Sequence, residues 1–567
     1  MANLKKFFTR HFSLLLLLII FLASSYYLCQ PGFFYVHDYT IGAKIVEMAN
    51  ALKSWRWPVR WSANFGYGFG MPLFNFYAPL PYIIGAIFYL LSSKLVLSIK
   101  FLYVLLNLLT LIGSFKLGKK IAGTWGGLLL AAAFTLAPYR ALNLFVRGAL
   151  SEAFAMSLFP WVILALYKKN HLLLFVSLVA IILSHNLSAL MFIPLAALWA
   201  LLLLKKKELW SVIKVFILAF LSTIFYSLPS FLEKDLTKMN EIVTGYFDYH
   251  LHFLYIRQFL QNNWGYGGSS WGANDDISFF LGYGQLLALV LIVILLIIQL
   301  LRAWQKKGLA NFFNKNKILL LSGFITLMSL FLSTTKSLQF WENLKILAFI
   351  QFPWRWLGSA SFFLALFLAI GSSLITSQLW KNIVCGLLLV ALLLNASFFR
   401  AEKILKDSGP FYYSDTQLIR SEMSKTLPDY IPIQMADEQI LQTYNQKYPE
   451  PAIWPDQELS NEQTLTGQLL KANNHSQTWK IIASDENLIN FKIANFSGWT
   501  AKLDKQAINI LENPQLGNIQ LLIPAGEHLL QLDFRENKLR LLCDYISLIS
   551  LVTFIGWQII LKNKSTN

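Results

Sequence analysis

Long apolar blocks recur along this 567-residue chain, separated by short basic clusters. A helix needs about 20 mostly apolar residues to cross the hydrocarbon core of a bilayer. On that measure the blocks predict twelve spans, at approximately 12–28, 98–115, 121–138, 154–167, 170–184, 186–204, 211–228, 279–301, 317–333, 357–377, 381–399 and 542–561. Composition agrees: 56% of residues are hydrophobic and 14% charged, against about 25% charged in soluble domains. The fold class expected is an all-α polytopic membrane protein. A disordered, collagen-like or disulfide-rich chain is excluded by the same composition.

Basic clusters set the expected sidedness, because cytoplasmic loops accumulate Lys and Arg. Lys5, Lys6 and Arg10 place the N-terminus inside. Lys116–Lys120, Lys168–Lys169, Lys205–Lys207, Arg302–Lys317, Lys381 and the terminal Lys562 and Lys564 follow at intervals of two crossings. The apolar stretch Pro79–Leu97 cannot be a full crossing without inverting that series. It is expected as a juxtamembrane or partly inserted helix, with Pro79 and Pro81 at its start. The N-terminal block resembles a signal peptide but lacks a small-x-small cleavage site, so it is taken as an uncleaved first span. Both termini are then cytoplasmic, and the expected location is the inner membrane.

Three large pieces fall outside: loops 29–97 and 229–278, and a domain at 401–540. The chain divides into a membrane domain at 1–400, that extracytoplasmic domain, and a last helix with its tail at 541–567. Charge divides the same way. Residues 401–540 hold 13 basic and 18 acidic groups, whereas the rest of the chain holds 35 and 12. The domain is expected to be β-rich, a small sandwich. Trp479–Ile482 and Ile519–Ile523 alternate, and Pro524-Ala525-Gly526 and Glu512-Asn513-Pro514 signal turns. The net charge of +18 has its cause in the cytoplasmic loops. No basic, aromatic-interleaved soluble module exists, so nucleic acid is not an expected partner. Cys29, Cys385 and Cys543 are widely separated and suggest neither zinc nor a disulfide framework.

Candidate chemistry concentrates on the outer side. His37 and Asp38 open the first loop. A carboxylate at a low-dielectric boundary can act as a general base, and His37 can share or orient its proton; the plainer alternative is an Asp capping the amphipathic helix Ile41–Lys53. Arg60 and Tyr77 belong to the Gly/Pro/aromatic run that follows. Arg147 and Glu152 make either a structural ion pair or an anion site that Glu152 positions. His185 lies in the polar triplet Ser184-His185-Asn186, where a cap or turn explains Ser and Asn more easily than His. Arg355, in Phe352-Pro353-Trp354-Arg355-Trp356, is an interfacial anchor or a contact for a lipid phosphate. His250, His252, Arg257 and Trp264 in the second outer loop are candidate substrate contacts. His250 and His252 with Asp275 and Asp276 are a weak metal-site candidate.

These strings carry a resemblance. His37-Asp38 … Trp57-Pro58-Val59-Arg60-Trp61 … Gly66-Tyr67-Gly68 … Pro72-Leu73-Phe74-Asn75-Phe76-Tyr77-Ala78-Pro79 resembles a family of bacterial membrane proteins labelled 6-pyruvoyl-tetrahydropterin synthase-related. Arg147-Gly148 … Glu152, Ser184-His185-Asn186 and Phe352-Pro353-Trp354-Arg355 also look like it. The ending Phe496-Ser497-Gly498-Trp499 … Ile523-Pro524-Ala525-Gly526-Glu527-His528 is similar to the YfhO-type membrane proteins. The label does not describe the chemistry, since the three-histidine zinc site of soluble pterin synthases is missing. The resemblance implies the GT-C fold of membrane glycosyltransferases, which take a sugar from a polyprenyl-phosphate-linked donor outside the cytoplasm and use a first-loop acid as base. Carried over, that acid is Asp38. Many GT-C enzymes have two adjacent acids there, where this chain has His37-Asp38. No cofactor is therefore called for, and a divalent metal stays open.

The expectation is an inverting glycosyltransferase acting on an acceptor hydroxyl of a glycan, lipid or protein. Asp38 and His37 would be catalytic, while Arg147, Glu152, His185, Arg355, Arg60 and Tyr77 would hold the donor phosphate and substrate. The rivals are a non-enzymatic transporter or flippase for lipid-linked glycans, and an envelope-assembly factor.

Overall fold

The computed structural model describes residues 2–406, 415–456 and 465–566. Helices dominate as far as Phe398, and strands gather between Ile453 and Phe534. Among the described residues nine helices are long and apolar enough to cross a membrane, or ten if the bent pair Lys206–Ser222 and Ile224–Leu232 is one span. Their outward faces are apolar: Leu287, Val290, Ile294 and Ile297 on the helix Tyr283–Gln305 are all exposed. A water-soluble bundle would bury such a stripe, so these faces are consistent with an integral membrane protein.

Length and apolarity alone do not reach the expected twelve. Blocks 98–115 and 121–138 form one helical stretch, Leu95–Thr135, interrupted at Ala122 and Gly123. Gly123 takes φ +75°, a left-handed conformation that ends a helix cheaply only at glycine. Past that break the chain turns back on itself, with Gly126 against Gly118 and Gly127 against Phe115. Block 170–184 is a 12-residue helix, His171–Ile182. Block 211–228 is bent by 63° between Ser222 and Ile224. Pro79–Leu97 contains a 13-residue helix, Leu80–Ser92, with Pro81 in its first turn and left-handed Ser93 closing it.

Segments assigned by charge to one side touch each other. At one end, Lys169 pairs with Glu208 at 2.5 Å, Lys317 donates to the Leu202 carbonyl at 2.9 Å, and the Trp125 indole donates to Asn382 at 2.9 Å. At the other end the two long loops and the β-rich region interlock. Arg60 is bonded to Glu536 at 2.7 Å and to Asp544 at 3.1 Å. Glu233 accepts from Asn75 at 2.7 Å, Asn537 at 2.8 Å and Arg540 at 3.0 Å. Glu233 and Arg540 are both buried, so each neutralises a charge that water cannot reach.

The β-rich region holds two antiparallel sheets. One orders its strands Ile453–Pro455, Asn487–Ala494, Asn518–Ile523 and Leu511–Glu512; the other orders Leu465–Asn473, Ser476–Ala483, Gly526–Phe534, Trp499–Leu503 and Gln506–Ile508. They face each other: the Trp479 ring of the second meets Phe491 of the first at 6.3 Å. Alternation placed the register, since Trp479, Ile481 and Ala483 are buried while Ile482 is exposed. The strands do not fill 401–540. Residues 415–450 form short helices, including Glu438–Lys447, because that stretch carries no period-two pattern. Ile404–Leu405 instead pairs with Phe33–Phe34 at the start of the first loop.

Glu233→Gln tests the interlock. It strands the Arg540 guanidinium in a buried site, and the expected loss is about 3–5 kcal/mol, read as a lower thermal midpoint of the detergent-solubilised protein. An unchanged midpoint would mean the tie contributes nothing.

Candidate functional site

The site is assembled by main chain before any side chain takes part. After the strand Phe33–Phe34 the chain runs beside residues 146–148. His37 N–H donates to the Val146 carbonyl at 3.0 Å, and Asp38 N–H to the Arg147 carbonyl at 2.9 Å. Gly148 permits the approach. It takes φ +66°, and a Cβ there would strike Val36 and press on the Asp38 carbonyl at 3.3 Å.

The Asp38 carboxylate stays 27% exposed while its partners lie beneath it. Thr40 Oγ1 donates to it at 2.6 Å, Lys44 Nζ at 3.1 and 3.2 Å, and Tyr77 OH at 3.4 Å. Lys44 also donates to Tyr77 OH at 3.1 Å and sits 4.1 Å from the centre of that ring. Burial pulls the Lys44 ammonium down, but Asp38 and Tyr77 outweigh it and leave its pKa above the ordinary value. Asp38 is therefore neither a solvated loop residue nor the cap of Ile41–Lys53. Thr40 holds the cap position, and no side chain caps that helix end.

Beside it lies a cationic cluster. Glu152 is 2% exposed and accepts from Tyr139 OH at 2.5 Å, Arg147 at 2.9 Å and Asn143 at 3.1 Å. Arg355 Nε stands 3.5 Å from the same carboxylate. One Nη of Arg355 is held by the Ile350 carbonyl at 2.6 Å and Gln351 at 2.9 Å, and Arg147 lies 4.5 Å over the Trp354 ring. Two guanidiniums thus share one carboxylate, which leaves the cluster with one net positive charge. Water is scarce there, and fixed charge of that sign favours a phosphate or a developing oxyanion.

His185 joins by a different route from the expected one. Its Nδ1 accepts the Ser188 N–H at 3.2 Å, so the histidine itself caps the helix Asn186–Leu203. Asn186 accepts from Tyr226 at 2.7 Å, and Ser184 donates back to the Ala180 carbonyl at 2.5 Å. Desolvation pushes His185 down to about 3, Glu152 opposing and Arg355 and Arg147 reinforcing the shift. The imidazole is neutral and can orient a substrate, but it does not donate charge.

The remaining candidates divide. His37 faces solvent, and its Nε2 donates to the Tyr266 carbonyl of the second loop at 2.9 Å, so it reaches away from the carboxylate it precedes. Arg60 is removed from the site: Glu536, Asp544 and Asn75 occupy its nitrogens. His252 uses both ring nitrogens, on the Tyr246 carbonyl at 2.5 Å and Ser269 Oγ at 2.8 Å. Ser269 in turn accepts from Trp354 at 3.1 Å, which ties the loop to the ring under Arg147. His250 pairs with Asp248 at 2.6 Å and Arg257 donates to Asn274 at 2.7 Å, both within the loop, while Trp264 packs on Phe398 at 5.0 Å and docks the loop on the end of a later helix. The metal candidate fails for the same reason. Asp275 accepts from Gln258 and the Ser270 N–H, and among the described residues no three His, Cys, Asp or Glu side chains converge. Phe352-Pro353-Trp354-Arg355-Trp356 is buried, not an interfacial anchor.

Lys44 was missed. Ile41–Lys53 reads as a helix with one apolar side, which sends Lys44 and Glu47 to water. In the fold the helix is buried from Ile41 to Ala49, and both charges face polar partners: Lys44 meets Asp38, and Glu47 accepts from Ser62 at 2.6 Å and Asn64 at 2.7 Å. The available signal was the spacing, since Lys44 follows Asp38 by six residues across a helix start.

A depressed histidine has a signed consequence. Below the unfolded value of 6.5 the unfolded chain takes up a proton that His185 in the fold refuses until about pH 3, so stability declines as pH falls through that window. His185→Asn preserves a good helix cap. It is expected to flatten the decline between pH 6.5 and 3 in thermal unfolding scans, and an identical pH profile would exclude this role. Compared with known protein families and with curated proteins, the chain matches no family model and no curated protein.

Proposed function

We propose that this chain is a membrane glycosyltransferase of the GT-C type, moving a sugar from a polyprenyl-phosphate-linked donor to an acceptor hydroxyl on the extracytoplasmic side. One observation carries the proposal. Asp38, the partly exposed carboxylate, is hydrogen-bonded through its main chain to Arg147, whose side chain belongs to a cluster with surplus positive charge. The backbone segments that carry the base and the leaving-group stabiliser are thereby neighbours. In the reaction the acceptor O–H loses its proton to Asp38 and the oxygen bonds to the anomeric carbon. The bond from that carbon to the phosphate oxygen breaks, and the electron pair leaves with the polyprenyl phosphate, opposite Arg147 and Arg355. Glu152 positions the two guanidiniums, and neutral His185 orients the substrate. An acceptor hydroxyl would take the place of Thr40 as donor to Asp38.

Topology belongs to the same proposal. The broken stretch Leu95–Thr135 supplies two crossings, the bent pair one and His171–Ile182 a short one, which makes twelve. The N- and C-termini lie in the cytoplasm of a cell bounded by that inner membrane, and the β-rich region lies outside. The contacts among the basic loops, and among the two long loops and the sheets, support this sidedness.

A second proposal, a non-enzymatic flippase or assembly factor for lipid-linked envelope glycans, is favoured by a different observation. Asp38 already has Lys44 as a partner, and an ion-paired carboxylate needs no catalytic role.

Asp38→Asn separates them. As a transferase, the variant in vesicles loaded with lipid-linked sugar is expected to lose about 10²–10⁴-fold in turnover while still binding the donor. Full turnover in a folded variant would remove Asp38 from the mechanism. Arg147→Ala is expected to weaken retention of polyprenyl phosphate in native mass spectra, and equal retention would detach the cluster from the donor.

A further inference from the structure

An open cleft lies apart from the Asp38 cluster, between the first loop and the sheets. Its volume is about 610 Å³, within the usual range for ligand sites of about 300–1,000 Å³. Its chemistry is one-sided. Lys53, Arg420, Lys471 and Lys492 line it, and among the described residues none of its lining is Asp or Glu. Lys53 and Lys471 are exposed and make no ion pair among the described residues. Lys492 is buried and held by two neutral acceptors, Asn445 Oδ1 at 2.7 Å and the Tyr448 carbonyl at 2.6 Å. Arg420 has a carboxylate partner, the exposed Glu450 at 2.8 Å.

The neutral part of the wall is amide and indole. Gln477 and Asn50 present side-chain amides, and Trp61 and Trp499 meet edge to face at 5.5 Å. Trp499 is 9% exposed, and its buried indole N–H has no acceptor. A buried donor left unpaired costs free energy, which a ligand oxygen would return. Amides matched to hydroxyls, a buried indole donor without an acceptor, and ammonium groups without carboxylate partners together describe a carbohydrate bearing carboxylates or phosphates.

We propose that this cleft binds an acidic oligosaccharide. The helix Ile41–Lys53 links it to the first site. Lys44 near one end meets Asp38, and Asn50 and Lys53 at the other line the cleft, about 9 and 14 Å further along the axis. Binding itself does not depend on transfer at Asp38.

The test is calorimetry on the full chain in nanodiscs, with trigalacturonate, uncharged maltotriose and hexaglutamate as probes. Trigalacturonate is expected to bind at least tenfold more tightly than either of the others. The double variant Lys53→Gln/Lys471→Gln, altered only at exposed positions, is expected to lose at least tenfold of that affinity; Trp499→Phe, which keeps a ring and removes the N–H, loses a smaller factor. Asp38→Asn is expected to bind trigalacturonate as the parent does, so a failure of the transfer proposal leaves this one standing. No trigalacturonate binding by the parent chain, undiminished binding by the double variant, or equal binding of hexaglutamate would overturn it, the last assigning the cleft to acidic peptide.

Discussion

Buried charge has to be neutralised, and this end of the molecule is organised by how that is done. Four ion clusters lie in or beside a largely apolar body: Asp38 with Lys44, Arg147 and Arg355 with Glu152, Arg60 with Glu536 and Asp544, and Glu233 with Arg540, the last two bridged by Asn75. An isolated charge in such surroundings costs several kcal/mol, so each cluster forces its contributing segments together. The segments are far apart in the chain. The first loop meets the terminal helix through Arg60, and the second loop meets it through Glu233.

The four clusters are not equivalent. Three of them balance or carry excess carboxylate, whereas Arg147, Arg355 and Glu152 leave one positive charge unmatched. His185 cannot add a second, because desolvation keeps it neutral. That surplus sits next to the backbone of Asp38, while Arg140, buried without a carboxylate, is held by the Thr135 carbonyl and Asn107 Oδ1. The cleft between the first loop and the sheets has a surplus too, but it lies among amides and indoles instead of a shared carboxylate. The two proposed anion sites, near the bundle and near the sheets, thus differ in chemistry, and the helix Ile41–Lys53 runs from Asp38 to the cleft.

Much of the architecture was legible in the sequence because bilayer and sheet both impose periods on side chains. The apolar blocks, the short helix after Pro79, and the strands holding Trp479 and Ile519 lie where their patterns placed them. Patterns failed where period was silent. Residues 415–450 carry no alternation and fold into helical turns. The break at Gly123, by contrast, falls just past the basic cluster Lys116–Lys120 that separates the blocks 98–115 and 121–138.

What the chain by itself determined is which residues are too costly to bury without a purpose: Asp38, Arg147, Glu152, His185 and Arg355 stand out against apolar surroundings, and the fold gathers Arg147, His185 and Arg355 around the Glu152 carboxylate, with Asp38 on the adjoining backbone. Which partner each one takes was decided only in three dimensions. Arg60 goes to Glu536 and Asp544, nearly five hundred positions away, and His252 spends both nitrogens on its own loop. Lys44 faces Asp38 instead of water. A local pattern reports whether a side chain is polar; the identity of its countercharge depends on contacts between distant segments, and those exist only once the helices and sheets have packed.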